Sequence, residues 1–242
     1  MTNQQLPFVE TPALKPKYVC WIDIMGMKSM LRRSVTTASI MICRFQKLLN
    51  NIAQSNDNIK IYPIMDGAYI TTSDKSKLES FLNEIYNNVA NNFINEKKFY
   101  NKFIIKSCVA FGLIGDGSEI SDNEFPSKNS LVFGLPIIQA FEDENKAPPF
   151  GIFIHQSARA LSCPENETYS PFTTRWHIWF KPNDTIQQTL KVSLQAYYST
   201  AEKLTHALPY PAEELKKHSD MAMQYLEYWD TLALPSTEPN TE

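Results

Sequence analysis

Two aspartates, Asp23 and Asp66, each close an apolar run: Tyr18-Val-Cys-Trp-Ile-Asp23-Ile-Met-Gly26 and Ile59-Lys-Ile-Tyr-Pro-Ile-Met-Asp66-Gly-Ala-Tyr-Ile70. A carboxylate kept charged within a buried strand needs a cation or hydrogen-bond donors to compensate it. Two of them, on strands able to lie side by side, suggest a shared divalent-metal site. Hard oxygen ligands that leave room for substrate phosphates are the usual way Mg²⁺ or Mn²⁺ is held for phosphoryl chemistry. The same residues admit a plainer reading, an isolated turn aspartate in each place, with Asp66-Gly67 making a hairpin turn.

The elements that must position these residues follow from periodicity. Residues 18–25 form a continuous apolar run, which predicts a central strand covered on both faces. Gly26 then permits a tight turn beside the first aspartate. Ile40, Met41, Phe45, Leu48, Leu49 and Ile52 recur at helical spacing over residues 35–53. Two short runs, Ile59–Met65 and Ala68–Thr72, read as a hairpin joined around Asp66-Gly67. Alternation along the first places Lys60, Tyr62, Ile64 and Asp66 on one face, and Pro63 favours an edge position. Leu78, Phe81, Leu82, Ile85, Tyr86, Val89 and Phe93 define a further amphipathic helix. Phe103–Ile114 reads as a long strand, Leu131–Gly134 as a short one, and Pro136 is suited to open the next helix. Gly151–His155 is another strand, with a short helix around Ser157–Leu161.

The resulting order, βαββαβ with a further helix and strand, predicts an α+β protein with a ferredoxin-like core, a sheet with helices on one face. Residues 1–16 are expected to be a flexible N-terminal lead and 17–170 the main domain. The aromatic-rich residues 171–233, with Trp176, Trp179, Phe180, Tyr197 and Tyr198, are expected to add C-terminal helices. Residues 234–242 form a polar tail expected to be disordered.

The chain has 242 residues, 43% of them hydrophobic, and a net charge of −3. It can therefore bury a real core. No basic block supplies the electrostatic footprint of a nucleic-acid binder. No run approaches the roughly 20 apolar residues that span a bilayer, and the polar start lacks signal-peptide regions. Cys20, Cys43, Cys108 and Cys163 have no metal-ligand spacing and suit a reducing compartment. A cytoplasmic location with no membrane partner is the expectation.

This arrangement resembles the class III nucleotidyl cyclase catalytic domain over about Tyr18 to Leu161. Trp21-Ile-Asp23-Ile-Met-Gly26-Met looks like that family's first metal-binding strand. Ile64-Met-Asp66-Gly-Ala-Tyr69 looks like the hairpin carrying its second metal aspartate. Val132-Phe-Gly134-Leu-Pro-Ile-Ile-Gln-Ala140-Phe-Glu-Asp-Glu144 is similar to its glycine-to-helix segment, which contributes across a dimer interface. Within the superfamily the chain most resembles the bacterial pyrimidine cyclases of Pycsar antiphage defence, short standalone domains that make cyclic UMP or cyclic CMP.

The resemblance implies that Asp23, Asp66 and the backbone carbonyl of Ile24 ligate two divalent ions, Mn²⁺ or Mg²⁺. It implies a nucleoside triphosphate substrate, a homodimer, and a cyclic product acting on a separate effector. UTP is the preferred substrate, with CTP the alternative. Tyr62 stands where purine cyclases place a base-selecting lysine and is therefore a candidate base contact; as a residue it reads equally as a half-buried strand tyrosine. Ile138 and Glu142 replace the transition-state asparagine and arginine of adenylyl cyclases. Pyrimidine cyclases usually carry an arginine just before a glycine in the long strand, where this chain has Val109-Ala110. Lys60 is the first candidate to replace that cation, and Lys106 and Arg159 are weaker ones. Loss of the arginine also admits a different class of function, a catalytically silent cyclase-like domain that binds a nucleotide or partner. Asp116 in its Gly-Asp-Gly sequence reads as a turn, and His155 as a satisfied core histidine. No Ser-His-Asp, Cys-His or glycine-rich phosphate loop can be assembled.

Overall fold

The computed structural model describes residues 12–120, 126–162, 175–181, 183–203 and 212–232. The central strand expected from the first apolar run is β1 (Lys15–Ile24), so ordered strand begins inside the stretch expected to be a flexible lead. A short helix, α1 (Met27–Arg33), follows, entered through Gly26 at φ 79°. Next comes α2 (Val35–Ala53), whose first turn is capped by the Ser34 side chain accepting from the Thr37 amide. Then come β2 (Lys60–Ile64), β3 (Gly67–Thr72) and α3 (Lys75–Asn95), the last capped by Asp74. β4 (Ile105–Asp116) is the longest strand. It is followed by β5 (Val132–Phe133), α4 (Leu135–Asp143) and β6 (Ile152–Ile154). The chain continues through β7 (Trp176–His177), α5 (Thr185–Lys203) and α6 (Ala212–Leu232).

The sheet runs β2-β3-β1-β4-β6-β7, with β5 pairing the far end of β4. Every pair is antiparallel except β4 with β6. The order β2-β3-β1-β4 is the expected ferredoxin-like core. Trp176 departs from the helical reading of residues 171–233: it opens β7, which completes the sheet before the two C-terminal helices begin. The expected tail, residues 234–242, lies outside the described residues, as does Cys163.

The sheet has two unlike faces. Cys20, Ile22 and Ile24 of β1 and their neighbours Val109, Ser107 and Ile105 of β4 face α2, α3, α5 and α6 in one large apolar core. The other face carries Val19, Trp21, Tyr62, Tyr69, Ala110 and Ile114, partly covered by Ala140 of α4. Tyr86 of α3 stitches the first core together: its buried hydroxyl reaches Ser107 Oγ at 2.7 Å and donates to the Gly151 carbonyl at 2.9 Å.

The β2–β3 hairpin turns one residue earlier than its sequence suggests. Ile64 pairs with Gly67, so Met65 and Asp66 form the turn, with Met65 at φ 51°. Asp66 therefore projects from the turn and not from the face shared by Lys60 and Tyr62. Gly67 is required for a separate reason: a Cβ there would lie 2.6 Å from the Ile22 carbonyl oxygen and 2.7 Å from the Trp21 ring. Gln46 of α2 holds the same residue, donating to the Gly67 carbonyl at 2.8 Å. Gly67→Ala is expected to lower stability by about 1–3 kcal/mol in chemical denaturation. Asn51→Ala, on the exposed side of α2, should leave it within about 0.5 kcal/mol; equal midpoints for the two variants would show that the hairpin does not depend on this close approach.

Candidate active site

β1 and its two neighbours bring the charged residues together. Asp23 lies opposite Gly67 of β3 on one side and opposite Lys106 of β4 on the other. Residues directly opposite one another share a face, so Asp23 and Lys106 both point away from the helix-packed core. Asp66 occupies the turn beside Gly67. Beyond Asp23 the backbone is pinned by the Met25 amide donating to the Ile104 carbonyl at 2.8 Å. The chain end of α4 contributes Glu144, which is buried and ion-paired with Lys106 at 3.2 Å.

This is a concentration of negative charge with one nearby ammonium. The Asp23 pKa is pushed up to about 7, first by burial and then by the Asp66 and Glu144 carboxylates. The Ile24 amide and Lys106 pull it the other way. Glu144 is also raised, by burial first, against the pull of Lys106. Asp23 Oδ1 is buried and has no hydrogen-bond partner. A buried oxygen without a donor, beside other carboxylates, is suited to a hard divalent cation. Among the described residues no group of three or more His, Cys, Asp or Glu side chains forms a metal cage. A cation held by Asp23 and Asp66 therefore draws further ligands from backbone carbonyls such as that of Ile24, from water or from phosphate oxygens, as Mg²⁺ commonly does.

The other expected residues are placed differently. The Lys60 ammonium does not join Asp66: it bonds Asp116 Oδ1 at 2.6 Å and Ser118 Oγ at 2.8 Å. Asp116 is buried, also accepts from the Ser118 amide, and lies 3.7 Å from Lys17. Burial alone would raise its pKa, but Lys60 and Ser118 hold it well below the usual carboxylate range. It is more than a turn residue, since it anchors the far end of β4 to β1 and β2. Tyr62 is buried on the face opposite the helix-packed core, with the Lys60 ammonium 5.0 Å from its ring centre. Burial, and then Asp116, raise its pKa, so its hydroxyl stays protonated.

Val109, where the resemblance to pyrimidine cyclases would place an arginine, faces the helix-packed core and is fully buried. Its side chain points away from Asp23, and the cation that does share Asp23's face is Lys106. Sequence reasoning ranked Lys106 below Lys60 and missed Glu144. The signal for Lys106 was present: a lone charge in Ile104-Ile-Lys-Ser-Cys-Val109 falls opposite Asp23 once the strands are paired. His155 is a satisfied core residue, with Nδ1 accepting from the Ser157 amide at 3.1 Å and 2.7 Å from its hydroxyl. Arg159 lies in a 3₁₀ segment, Gln156–Ser162.

No family model matches the sequence, and no curated protein matches it. Solved structures match the fold. A monomeric guanylyl cyclase domain of the RhoGC fusion protein of the aquatic fungus Blastocladiella emersonii aligns at 14% identity and TM-score 0.50, over 63% of this chain and 88% of that one. A dimeric form of that cyclase domain aligns at 15% identity and TM-score 0.50, over 64% of this chain and 86% of that one. A bacterial light-regulated adenylyl cyclase aligns at 9% identity and TM-score 0.54, over 78% of this chain and 58% of that one. The chain thus has the α+β fold of nucleotidyl cyclase domains.

The raised Asp23 pKa has a thermodynamic sign. Between the ordinary value of 3.8 and about 7 the folded state binds a proton that the unfolded state has released. Without metal, this residue's contribution to stability is therefore present at low pH and is lost as pH rises through that window. The melting temperature of metal-free protein should fall more steeply from pH 5 to 7.5 than that of Asp23→Asn, and Mn²⁺ should restore the wild type most at the higher pH. Parallel pH profiles for the two proteins would contradict the partly buried, charge-crowded environment of Asp23.

Proposed function

We propose that this protein is a nucleotidyl cyclase acting on a pyrimidine nucleoside triphosphate, UTP before CTP, to give the 3′,5′-cyclic monophosphate. The observation that carries the proposal is the juxtaposition of Asp23 and Asp66 at the end of β1, with Lys106 on the same face. The reaction joins the ribose 3′-oxygen to the α-phosphorus, breaks the bond to the β-phosphate and releases pyrophosphate and a proton. Asp23, Asp66 and the Ile24 carbonyl would hold two divalent ions, Mn²⁺ or Mg²⁺. Such ions supply Lewis acidity at the attacking and leaving oxygens. Lys106, opposite Asp23 on β4 and paired with Glu144, is a cation that could serve the triphosphate, where a fixed positive charge favours the developing negative charge of the leaving group.

A second copy of the chain completes this reading. Leu135, Ile138 and Phe141 of α4 are 63%, 54% and 57% exposed, and Ile64 and Met65 at the hairpin are also exposed. Apolar side chains presented along one helix and one turn suit burial against a partner surface. Ile138 and Glu142 both lie on the exposed side of α4. Assignment of the base rests on the resemblance, in which Tyr62, here 3% exposed, is the candidate base contact. On the same resemblance, the product is a second messenger of antiphage defence that acts on a separate effector. No described helix is long and apolar enough to cross a membrane.

Purified protein incubated with Mn²⁺ and each of ATP, GTP, CTP and UTP should yield cyclic UMP, identified by mass spectrometry. Cyclic CMP alone would move the assignment to CTP, and no product from any of the four would favour the silent, nucleotide-binding alternative. Asp23→Ala and Asp66→Ala should abolish turnover in a folded protein. Lys106→Ala should lower kcat/KM by about 10²-fold or more, with partial rescue by Lys106→Arg; turnover unchanged in Lys106→Ala would remove that residue from the site. Tyr62→Ala should alter the preference among the four triphosphates, and an unaltered profile would leave Tyr62 a packing residue only.

A further inference from the structure

Behind the aspartate strand, on the helix-packed side of the sheet, lies a cavity of about 40 Å³. A single water needs roughly 10–15 Å³ by the same measure, so the space exceeds an ordinary packing defect. The cavity opens through a mouth to the surface. One wall is the segment Ile24–Met27 that follows Asp23, and the opposite wall is Tyr197 and Tyr198 of α5 with Leu215 of α6. The C-terminal helices thus close a space that abuts the backbone positioning the first aspartate.

The lining has a definite chemistry. Met25, Met27, Met30 and Met41 all contribute. Methionine is unbranched and polarizable and reshapes readily around a guest. The basic lining residues are Arg33, Lys102 and His218, Tyr197 and Tyr198 add phenol groups, and no described carboxylate lines the cavity. Lys102 donates to the Phe93 carbonyl and lies 4.6 Å from the Phe93 ring centre, while the Arg33 guanidinium lies 4.7 Å from the Tyr100 ring centre. Burial lowers the Lys102 pKa, with Glu96 acting in the opposite sense. An apolar interior edged by cations is complementary to a small molecule with an apolar body and one anionic end.

We propose that this cavity binds a small amphiphilic carboxylate, its apolar body among the methionines and its carboxylate against Lys102 and Arg33. Occupancy bears on the loop after Asp23, because the guest touches Ile24–Met27 directly and that loop is fixed by the Met25–Ile104 hydrogen bond. The effect on the metal site rests on the cyclase reading; the binding itself does not.

The test uses the full chain labelled with ¹³C-methyl methionine, titrated without nucleotide with hexanoate and, separately, with hexanol. Hexanoate should give saturable shifts at Met25, Met27, Met30 and Met41, with a dissociation constant of about 1 mM or tighter. Met65, exposed at the hairpin, should not move with them. Lys102→Met should weaken hexanoate about tenfold while leaving hexanol unchanged. If that variant loses its folded circular dichroism spectrum, Arg33→Met, on the exposed end of α1, serves the same purpose. No saturable shifts, shifts led by Met65, or hexanoate affinity indifferent to both substitutions would overturn the site. Saturating hexanoate should also change the Mn²⁺ dissociation constant about fivefold or more, and an unchanged value would remove the coupling. Failure of the cyclase reading would appear separately, as absence of cyclic product with the methionine shifts intact.

Discussion

The structure is organised around one electrostatic constraint: two carboxylates, Asp23 and Asp66, meet where β1 ends and the β2–β3 hairpin turns. Burial first, and then the Asp66 and Glu144 carboxylates, raise the Asp23 pKa. The surrounding elements hold this arrangement in place. Gly67 admits the hairpin to within contact of Trp21 and Ile22, Gln46 fastens it from α2, and the Met25–Ile104 hydrogen bond fixes the backbone on the other side. Partly buried charge of one sign calls for a cation, and among the described residues Lys106 lies opposite Asp23 and pairs with Glu144. The remainder is suited to divalent metal.

The two sheet faces divide the work. The helix-packed face, sealed by Tyr86 hydrogen bonds and by the Trp179 indole donating to the Phe150 carbonyl at 2.7 Å, supplies the rigid support. The opposite face carries two separate charged clusters. At one end stand Asp23, Asp66, Lys106 and Glu144. At the other, Asp116 neutralises Lys60 and approaches Lys17. In the second cluster Lys60 is tied to Asp116 and Ser118, so its ammonium serves strand cohesion.

Much of this was legible in the sequence because it rests on local pattern. The α3 periodicity, the apolar run of β1 and the alternation of the hairpin strands are each dictated by which face must be buried. The pairing of Asp23 with Asp66 was legible for the same reason, since both close apolar runs. What escaped was set by register. The hairpin turn fell at Met65-Asp66, one residue from where the Asp-Gly signal placed it, because Gly67 is needed for close approach and not for its turn conformation. The ranking of Lys60 over Lys106 followed from strand alternation alone; the long-range pairing of β1 with β4 puts Lys106, not Lys60, opposite Asp23. Glu144 could not be placed without knowing that α4 returns its C-terminal end to β4. Trp176 read as part of a helical region, yet its two-residue strand exists only because the edge of β6 accepts it.

The central claim is that the paired aspartates hold divalent cations beneath a nucleoside triphosphate. Crystals grown with Mn²⁺ and a non-hydrolysable UTP analogue, measured at the manganese absorption edge, test it directly. The account predicts anomalous density between the Asp23 and Asp66 carboxylates, with the triphosphate oxygens completing the coordination and Lys106 turned toward them. Density absent there while the analogue is bound, or manganese held elsewhere with Asp23 protonated and packed, would contradict it.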